Sequence, residues 1–387
     1  MSLVLNTNYS SLVAQDSLST SGGELSTALQ QLSSGLRINT AADDAAGYAI
    51  VQGMTSQING LDQASQNAND GVSLAQTAQG ALTEITNDLQ TMRDLAVESL
   101  NATNSSQDRA DLNQQFSQLQ ADINNVAATA SFNGVNLLDG SFQGATFQVG
   151  ANVGQTISVS SVASAKTSAL GTLYTAAGGT GAAMTAGQTG SLTIGGVATS
   201  SFTVTGTPAT DAKTIAAAIN AISSQDGGVV ATVNATNGIN LSSTTSQTVA
   251  VAAGAGNGAS VTLANMGVAA SYVITTAGTT TNLNVANVNT VDGSNLALTQ
   301  IDSALQQVAA TGAQLGAYQN RFQAAITGLT TDSTNLQSAR SGIQDTDYAM
   351  ATSQLSKAQI LQQASTAMVA QANTIPQNIL TLLQKLP

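Results

Sequence analysis

Two pairs of carboxylates are the residues of this sequence with the best spacing for acid–base chemistry. Asp43 and Asp44 are adjacent, and Asp345 and Asp347 are separated by a single residue. Such a pair can supply a general acid and a general base when its two members differ in protonation. Neither pair has a nucleophile nearby, and the chain contains no His and no Cys. The sequence therefore predicts a protein that is not an enzyme and needs no cofactor.

The missing residue types exclude further kinds of site. Without His and Cys there can be no imidazole or thiolate metal site, no Cys or His nucleophile and no disulfide. The acidic residues do not follow the spacing of a calcium-binding loop. The glycine-rich stretches 178–181 and 254–258 lack the Lys and the strand–helix context of a phosphate-binding loop, so they are predicted to be turns. No metal site is expected.

Charge and hydropathy exclude two classes of partner. The chain has 9 basic and 21 acidic residues, a net charge of -12, which is too few cations to neutralise the phosphates of a nucleic acid. No apolar run is long enough to span a membrane, so membrane insertion is not expected. The first residues lack the basic and apolar segments of a cleaved secretory signal, so any secretion is expected to use a different route.

Composition divides the chain into three zones. Only 8% of the residues are charged, against about 25% in average proteins. Between residues 141 and 290 the charged residues are Lys166, Asp211, Lys213 and Asp226. The outer zones are rich in Leu, Gln and Ala, which favours helix, and the middle alternates Thr, Val, Ala and Gly, which favours strands and turns. The runs predicted as strands are SLTIGG, SFTVTG, GVVATVN, INLSS and TVAVAAG.

Apolar residues recur at alternating spacings of three and four in both outer zones. One seam runs from Leu61 to Ala96, a second from Leu112 to Val126, and a third from Leu298 to Leu336. This pattern predicts long coiled-coil helices that pack together as a rod. The first half of the Leu61 seam uses Ala and Gly, which lets helix backbones approach closely.

The two chain ends each carry a single apolar seam. Two such helices alone bury too little surface to offset the entropy of ordering them, so we expect partners, most simply other copies of this chain, to order them. A simple pair of terminal helices within one chain is the alternative. The residues predicted to make the contacts between copies are Leu25, Leu29, Leu32, Leu36, Leu361, Met368, Ile375, Ile379 and Leu382.

Several motifs at both ends resemble the signatures of bacterial flagellins. The segment LSSGLRINTAADDAAGYAI at residues 32–50 resembles the N-terminal signature. DTDYA at 345–349, AQILQQA at 358–364 and PQNIL at 376–380 resemble the C-terminal one. The resemblance implies an α+β fold, in which long antiparallel coiled-coil helices from both termini form a rod. A β-hairpin and a β-rich variable outer domain are inserted in its middle.

The resemblance also implies three domains. Residues 1–42 with 345–387 would form a terminal coiled coil that lines the filament core, and residues 161–281 a variable outer domain. Residues 43–160 with 282–344 would form a helical rod with a hairpin from 135–138 through 145–150 to 157–159. At the junction of terminal coil and rod, Arg37, Asp43 and Asp44 are predicted to make polar contacts between segments or between subunits. A solvated loop of charge is the alternative there.

The function implied by the resemblance is that of a structural subunit, exported and polymerised into the helical flagellar filament used for motility. Its implied partners are other copies of itself, an export chaperone, the type III export apparatus, the filament cap and hook-associated proteins. Its implied location is extracellular. Two alternatives remain: the hook–filament junction protein of the same family, and a secreted adhesin whose middle region carries the function.

A last motif concerns host recognition. QTMRDLAV at residues 90–97 resembles the helix patch by which a vertebrate Toll-like innate receptor recognises flagellin. Arg93, Leu95 and Val97 match, and Gln90 opens the motif. Thr91 departs from the basic residue that many recognised flagellins carry, and Gln115 lies where an acid is common. The resemblance therefore implies weakened recognition.

Overall fold

A computed structural model describes residues 8–226, 228–254, 256–274 and 279–383, without the side chains of Val273, Thr279, Thr280 and 375–383. Two compact units share the chain. The first contains the described residues of Met1–Asn67, Gln148–Gln155 and Ala325–Pro387, and the second contains Ala68–Phe147 and Thr156–Ala324.

The part of the chain that the structure describes contains six α-helices, most of them near its two ends, and one short 3-10 helix. The α-helices are α1 (Tyr9–Ser34), α2 (Ala45–Ser99), α3 (Ser106–Thr129), α4 (Pro208–Asn220), α5 (Val291–Gln344) and α6 (Tyr348–Leu383). The 3-10 turn is Leu283–Val285. The chain thus has long helices at both ends and strands in its middle, which confirms the predicted α+β fold class.

Local signals explain where the helices begin and end. At the start of α1 the Asn8 side chain accepts a hydrogen bond from the Ser11 N–H, and at its end Gly35 has a φ of 73°. A glycine in this left-handed conformation ends a helix without strain, because it has no Cβ. Helix α3 begins with a reciprocal capping box between Ser105 and Asp108.

The predicted seams are the buried faces of the long helices. All eleven positions of the α2 seam are buried: Leu61, Ala64, Ala68, Gly71, Ala75, Ala78, Leu82, Ile85, Leu89, Met92 and Ala96. In α5 every second seam position from Ile301 to Leu329 is buried (Ile301, Val308, Leu315, Phe322 and Leu329), Ser333 is buried as well, and the remaining seam positions are half-buried. Within the second unit, Gln79 pairs with Gln319 and Arg93 with Asp302, so α2 and α5 run antiparallel there.

In the described residues between α3 and α5 there are fourteen strands. They are β1 (Ser131–Phe132), β2 (Val135–Asn136), β3 (Ala145–Gln148), β4 (Thr156–Val159), β5 (Leu173–Ala176), β6 (Thr189–Gly190), β7 (Leu192–Ile194), β8 (Val197–Ala198), β9 (Phe202–Thr203), β10 (Val230–Val233), β11 (Ile239–Ser243), β12 (Gln247–Ala253), β13 (Ser271–Ile274) and β14 (Thr279–Thr281). Each of the five runs predicted as strands overlaps one of them.

Most of these strands form two four-stranded sheets. Their orders are β10-β11-β5-β14 and β13-β12-β7-β8, and the described pairings are antiparallel. Helix α4 belongs to the same apolar core, to which it contributes Ile215 and Ile219, while the strands contribute Leu192, Leu241 and Val251. Alternating burial along β12 reflects the two-residue period of a strand with one buried face.

The predicted hairpin is wrong in its first segment. Residues 135–138 do not join 145–150; β2 pairs instead with β1, in the register Phe132↔Val135. Asn133 and Gly134 both have positive φ, 50° and 78°, which is the geometry of the tight two-residue turn that Asn-Gly favours. The hairpin that does form pairs β3 with β4.

Candidate functional site

The terminal helices α1 and α6 pair through small residues. The Asn8 side chain donates to the Ala372 carbonyl at 2.8 Å and the Ser11 hydroxyl donates to the Asn373 side chain at 2.8 Å. At the other end of α1, the Thr346 N–H donates to the Gly35 carbonyl at 2.9 Å, so the helices run antiparallel. The buried residues of the two helices are Ser11, Ser21, Ala28, Ala351, Ala358 and Ala372.

Several large apolar side chains of this pair remain exposed. Leu29 is 49% exposed, Leu361 38% and Met368 62%. Leu25, Leu32 and Leu36 are half-buried. Ile375, Ile379 and Leu382 lie on α6 but outside the residues whose side chains the structure describes. The pairing of α1 with α6 thus buries Ala and Ser, and it leaves much apolar surface for a further partner.

A groove runs along one end of this helix pair. Its volume is about 420 Å³, and it is lined by Tyr9, Val13, Ser17, Ala364 and Met368, among others. Most of the surface inside it is carbon, and its walls are side chains from both α1 and α6. A groove of this kind can accept an apolar side chain from another molecule.

Arg37 ties the end of α1 to the end of α5. Its guanidinium donates to the Ile343 carbonyl at 2.6 Å and its backbone N–H donates to the Gln344 carbonyl at 2.6 Å. Next to it, Leu36 and Asp345 form an antiparallel bridge. Arg37 therefore makes a contact between two segments of the chain. Gly35, which ends α1, was not among the predicted site residues, although a Gly directly after an apolar helical run is a standard end signal.

All four carboxylates considered above for acid–base chemistry are hydrogen-bonded to nearby groups. The Asp43 carboxylate accepts from the backbone N–H groups of Asn39 and Thr40, and these bonds, the one from Thr40 foremost, hold the pKa of Asp43 below its usual value. Asp44 accepts from the N–H groups of Ala46 and Gly47 at the start of α2. The described bonds of Asp43 and Asp44 thus lie within their own turn.

The second carboxylate pair has a similar local role. Asp347 accepts from the N–H groups of Ala349 and Met350, and it caps the start of α6. Asp345 accepts from the Ser341 hydroxyl within the last turn of α5. A carboxylate near a helix N-terminus is stabilised by the unpaired N–H groups and the helix dipole. These four residues organise the connections α1–α2 and α5–α6.

We expect the double substitution Asp43→Ala with Asp44→Ala to disturb assembly. Removing a helix cap of this kind costs about 0.5–2 kcal/mol, and here it would loosen the segment that joins α1 to α2. The expected result is impaired polymerisation, or filaments of altered shape, by electron microscopy. Circular dichroism should show a folded monomer. Normal assembly into normally shaped filaments would contradict the prediction.

The segment from Gln90 to Val97 lies on α2. The Arg93 guanidinium forms an ion pair with Asp302 of α5 at 2.9 Å, both side chains being about half exposed. The hydrogen bond to Asp302 raises the pKa of Arg93. Gln90 and Val97 are exposed, whereas Leu95 is only 9% exposed. Three of the four residues can therefore be reached from solvent, and Leu95 belongs to the helix core.

The described part of the chain contains neither a membrane-spanning helix nor a cluster of metal-binding residues. None of its helices is both long and apolar enough to cross a membrane. Its acidic residues do not gather in groups of three or more that could hold a metal ion.

Comparison with known proteins gives matches at both ends and over the full length. A family model described as the bacterial flagellin N-terminal helical region matches residues 5–143, and one described as the C-terminal helical region matches residues 298–383. Flagellin B of Vibrio cholerae is 39% identical over 391 residues, 99% of this chain and 100% of the relative. The B-type flagellin of Pseudomonas aeruginosa is 34% identical over 490 residues, with the same coverage.

Solved structures are also similar. The FliC protein of Burkholderia pseudomallei is 28% identical, with a TM-score of 0.40, over 65% of this chain and 99% of that one. The flagellar junction protein FlgL of Legionella pneumophila is 15% identical, with a TM-score of 0.40, over 77% of this chain and 100% of that one.

Proposed function

The chain belongs to the bacterial flagellin family, and we propose that its paired terminal helices join neighbouring subunits of the flagellar filament. Flagellins are structural proteins, so the chain is a filament subunit and not an enzyme. One observation supports the role of the terminal helices above all. The pair α1–α6 buries Ala and Ser, and it exposes Leu29, Leu361 and Met368.

Burial of these side chains between copies would supply the energy of assembly. Fully burying a Leu or Met side chain contributes about 1.5–3 kcal/mol, and the apolar surface recurs on both helices. Contacts between different faces of successive copies produce an open helical filament when the rotation between copies does not close a ring. The groove lined by Val13 and Met368 offers a place for a neighbour's side chain.

A pair of adjacent substitutions tests this role. We expect Leu29→Asp to block polymerisation in ammonium sulfate, because a carboxylate would be buried between copies without a partner. Gln30→Asp introduces the same charge one residue later, at another exposed position of α1, and should leave polymerisation intact. Electron microscopy and sedimentation measure the polymer, and circular dichroism checks the fold of the monomer. Equal polymerisation by the two variants would refute the role of Leu29.

Two alternatives are less well supported. The match over 99% of the chain is to proteins named flagellins, which favours a filament subunit over the hook–filament junction protein. A secreted adhesin would use the middle region and would need no polymer. Long helical filaments formed by the purified chain would exclude the adhesin, and short assemblies that stop at a fixed size would favour the junction protein.

Each of the three regions of the chain has its own place in the proposed filament. Residues 1–42 and 345–387 line the filament core, residues 43–160 and 282–344 surround them, and residues 161–281 face solvent. The composition of the middle supports this assignment, because its Thr, Ser and Asn side chains are readily hydrated and only four charged residues lie between positions 141 and 290.

Export and location form the next part of the proposal. Flagellar filaments are extracellular, and we place this chain there after export, unfolded, through the type III apparatus. The absence of Cys supports this route, since a disulfide would hinder threading of the chain through a narrow channel. An export chaperone, the filament cap and hook-associated proteins complete the proposed set of partners.

Recognition by a vertebrate Toll-like innate receptor is the last part of the proposal. Arg93 is exposed, and Arg is a residue type that often anchors an interface, but Arg93 is already paired with Asp302. We expect purified monomer to activate a cell reporter weakly, and Arg93→Ala to reduce that activation at least tenfold, equivalent to about 1.4 kcal/mol. Thr91→Ala, an exposed neighbour, is the control. Full potency of the unmodified chain would contradict the weakening.

A further inference from the structure

Four Asn-Gly pairs occur in the sequence, at Asn59, Asn133, Asn237 and Asn257. The side-chain amide of Asn is chemically labile, and the rate at which it is lost depends on the next residue. The backbone nitrogen that follows can attack the Asn carboxamide carbon, and a following Gly has no Cβ to obstruct that attack. The attack requires that this nitrogen be free of hydrogen bonds and that the Asn side chain be able to rotate.

In three of the four pairs the Gly N–H donates a hydrogen bond, and the pairs at Asn59 and Asn237 are two of these. Asn59 and Gly60 lie in the interior of α2, where the backbone N–H groups bond to carbonyls one turn earlier. The Gly238 N–H donates to the Asn234 side-chain oxygen at 2.7 Å. In both places the attacking nitrogen is occupied, and reaction would require local unfolding.

The pair at Asn257 is held at both of its groups. The Asn257 side-chain oxygen accepts from the Ser191 N–H at 2.8 Å, and its nitrogen donates to the Ser191 carbonyl at 3.1 Å. The Gly258 N–H donates to the Thr189 carbonyl at 2.9 Å. Neither the carboxamide nor the following nitrogen is free to move.

Asn133 and Gly134 differ from the other three pairs. Both are exposed, at the tip of the β1–β2 turn. Among the described residues, neither the Asn133 side chain nor the Gly134 N–H has a hydrogen-bond partner. The strands on either side contain two residues each, so the turn can open at little cost in free energy.

We propose that Asn133 is a site of spontaneous modification by deamidation. The deprotonated Gly134 nitrogen attacks the Asn133 Cγ atom and a new C–N bond closes a succinimide ring. The bond from Cγ to Nδ2 breaks, and Nδ2 leaves as ammonia with the proton that the Gly134 nitrogen lost. Water then adds to one of the two ring carbonyl carbons, and the bond from that carbon to the Gly134 nitrogen breaks. Opening at Cγ leaves an aspartyl residue at position 133, and opening at the main-chain carbonyl leaves an isoaspartyl residue.

The two products affect the hairpin differently. The aspartyl product keeps the main chain and adds one negative charge to a chain whose net charge is already -12. The isoaspartyl product inserts a methylene into the main chain, so the register Phe132↔Val135 can no longer close over a two-residue turn. Modification at this one position would mark and locally remodel an otherwise intact subunit.

The test is incubation of the full-length monomer at mildly alkaline pH, with peptide mass mapping and enzymatic isoaspartyl methylation over time. In the native protein, position 133 should convert at least several-fold faster than positions 59, 237 and 257. In urea the four positions should convert at similar rates, because the hydrogen bonds that protect three of them are lost. Conversion of any other pair as fast as position 133 in the native protein would overturn the proposal.

One variant tests whether the early isoaspartyl signal comes from position 133. Asn133→Gln removes the carboxamide at the required distance, since an extra methylene disfavours closure of the ring. The variant should remain folded by circular dichroism, although Gln is strained at the φ of 50° found there, and it should lose most of the early isoaspartyl signal. An undiminished signal in this variant would assign the reaction to another residue, and the proposal would fail.

Discussion

Deleting residues 350–387 is expected to abolish polymerisation. The deletion removes nearly all of α6 (Tyr348–Leu383), and with it the partner that buries Ala28 of α1 and the exposed side chains of Leu361 and Met368. A lone α1 would have too little apolar surface to remain ordered. Electron microscopy after sulfate precipitation should show no filaments, whereas the full chain forms them. Filaments from the truncated chain would contradict the assignment of α6 to the contacts between subunits.

A finer variant tests the same helix pair without removing residues. Ala358 is buried on α6, and Gln359 beside it is exposed. Ala358→Glu would force a charge between α1 and α6 and should prevent assembly, because a buried unpaired carboxylate costs several kcal/mol. Gln359→Glu adds the same charge to the exposed face of α6, and this variant should assemble more readily than Ala358→Glu. Assembly of both variants to the same extent would show that α1 and α6 need not pair.

The second large effect is expected inside the α2–α5 seam. Phe322 is fully buried, and its ring meets Phe147 edge to face at a centroid distance of 5.2 Å. Phe322→Ala should lower the free energy of unfolding by about 3–5 kcal/mol, the usual cost of removing a buried aromatic ring. Urea unfolding followed by circular dichroism measures it. Asn320→Ala, at an exposed position two residues earlier, should change stability little; equal losses would contradict the packing.

Gly71 lies against the same ring, so substitutions at Gly71 and Phe322 form a double-mutant cycle. A Cβ at Gly71 would lie 2.6 Å from the Phe322 ring, so Gly71→Ala should destabilise the chain despite a gain of about 1 kcal/mol in helix propensity. In a Phe322→Ala background the space is open, and the same substitution should stabilise. Gly80→Ala has no neighbour within 4 Å and should stabilise in both backgrounds. An effect of Gly71→Ala that does not change sign would refute the contact.

The sequence predicted the long helices well because their signal repeats. Every position of the Leu61–Ala96 seam is buried, since a heptad pattern sustained over several turns leaves one face for packing. The runs predicted as strands in the middle were also confirmed, because β-branched residues alternate there between Gly and Asn turns. The helix seams depend on periodicity alone, which is why they could be recognised without a structure.

The first hairpin was missed because the turn signal was overlooked. Asn133-Gly134 adopts positive φ at both residues, and this local preference pairs β2 with the strand just before it. The role of Asp43 and Asp44 was also beyond the sequence. Their carboxylates cap nearby N–H groups, and a sequence pattern cannot distinguish a cap from a contact between segments.

The exposed side chains of the helix pair required the structure as well. Leu29 belongs to the predicted seam of α1 and Ala28 does not, and only the geometry of α1 against α6 shows that Ala28 is buried while Leu29 is 49% exposed. The structure therefore identifies which face of α1, the one that carries Leu29, is available for contacts between copies.

The most direct test of the central claim is an electron cryo-microscopy reconstruction of filaments assembled from the full-length chain. The account predicts that α1 and α6 form the innermost layer, with Leu29, Leu361 and Met368 packed against neighbouring subunits. A filament in which these three side chains face solvent or the open channel, while other regions hold the subunits together, would contradict it.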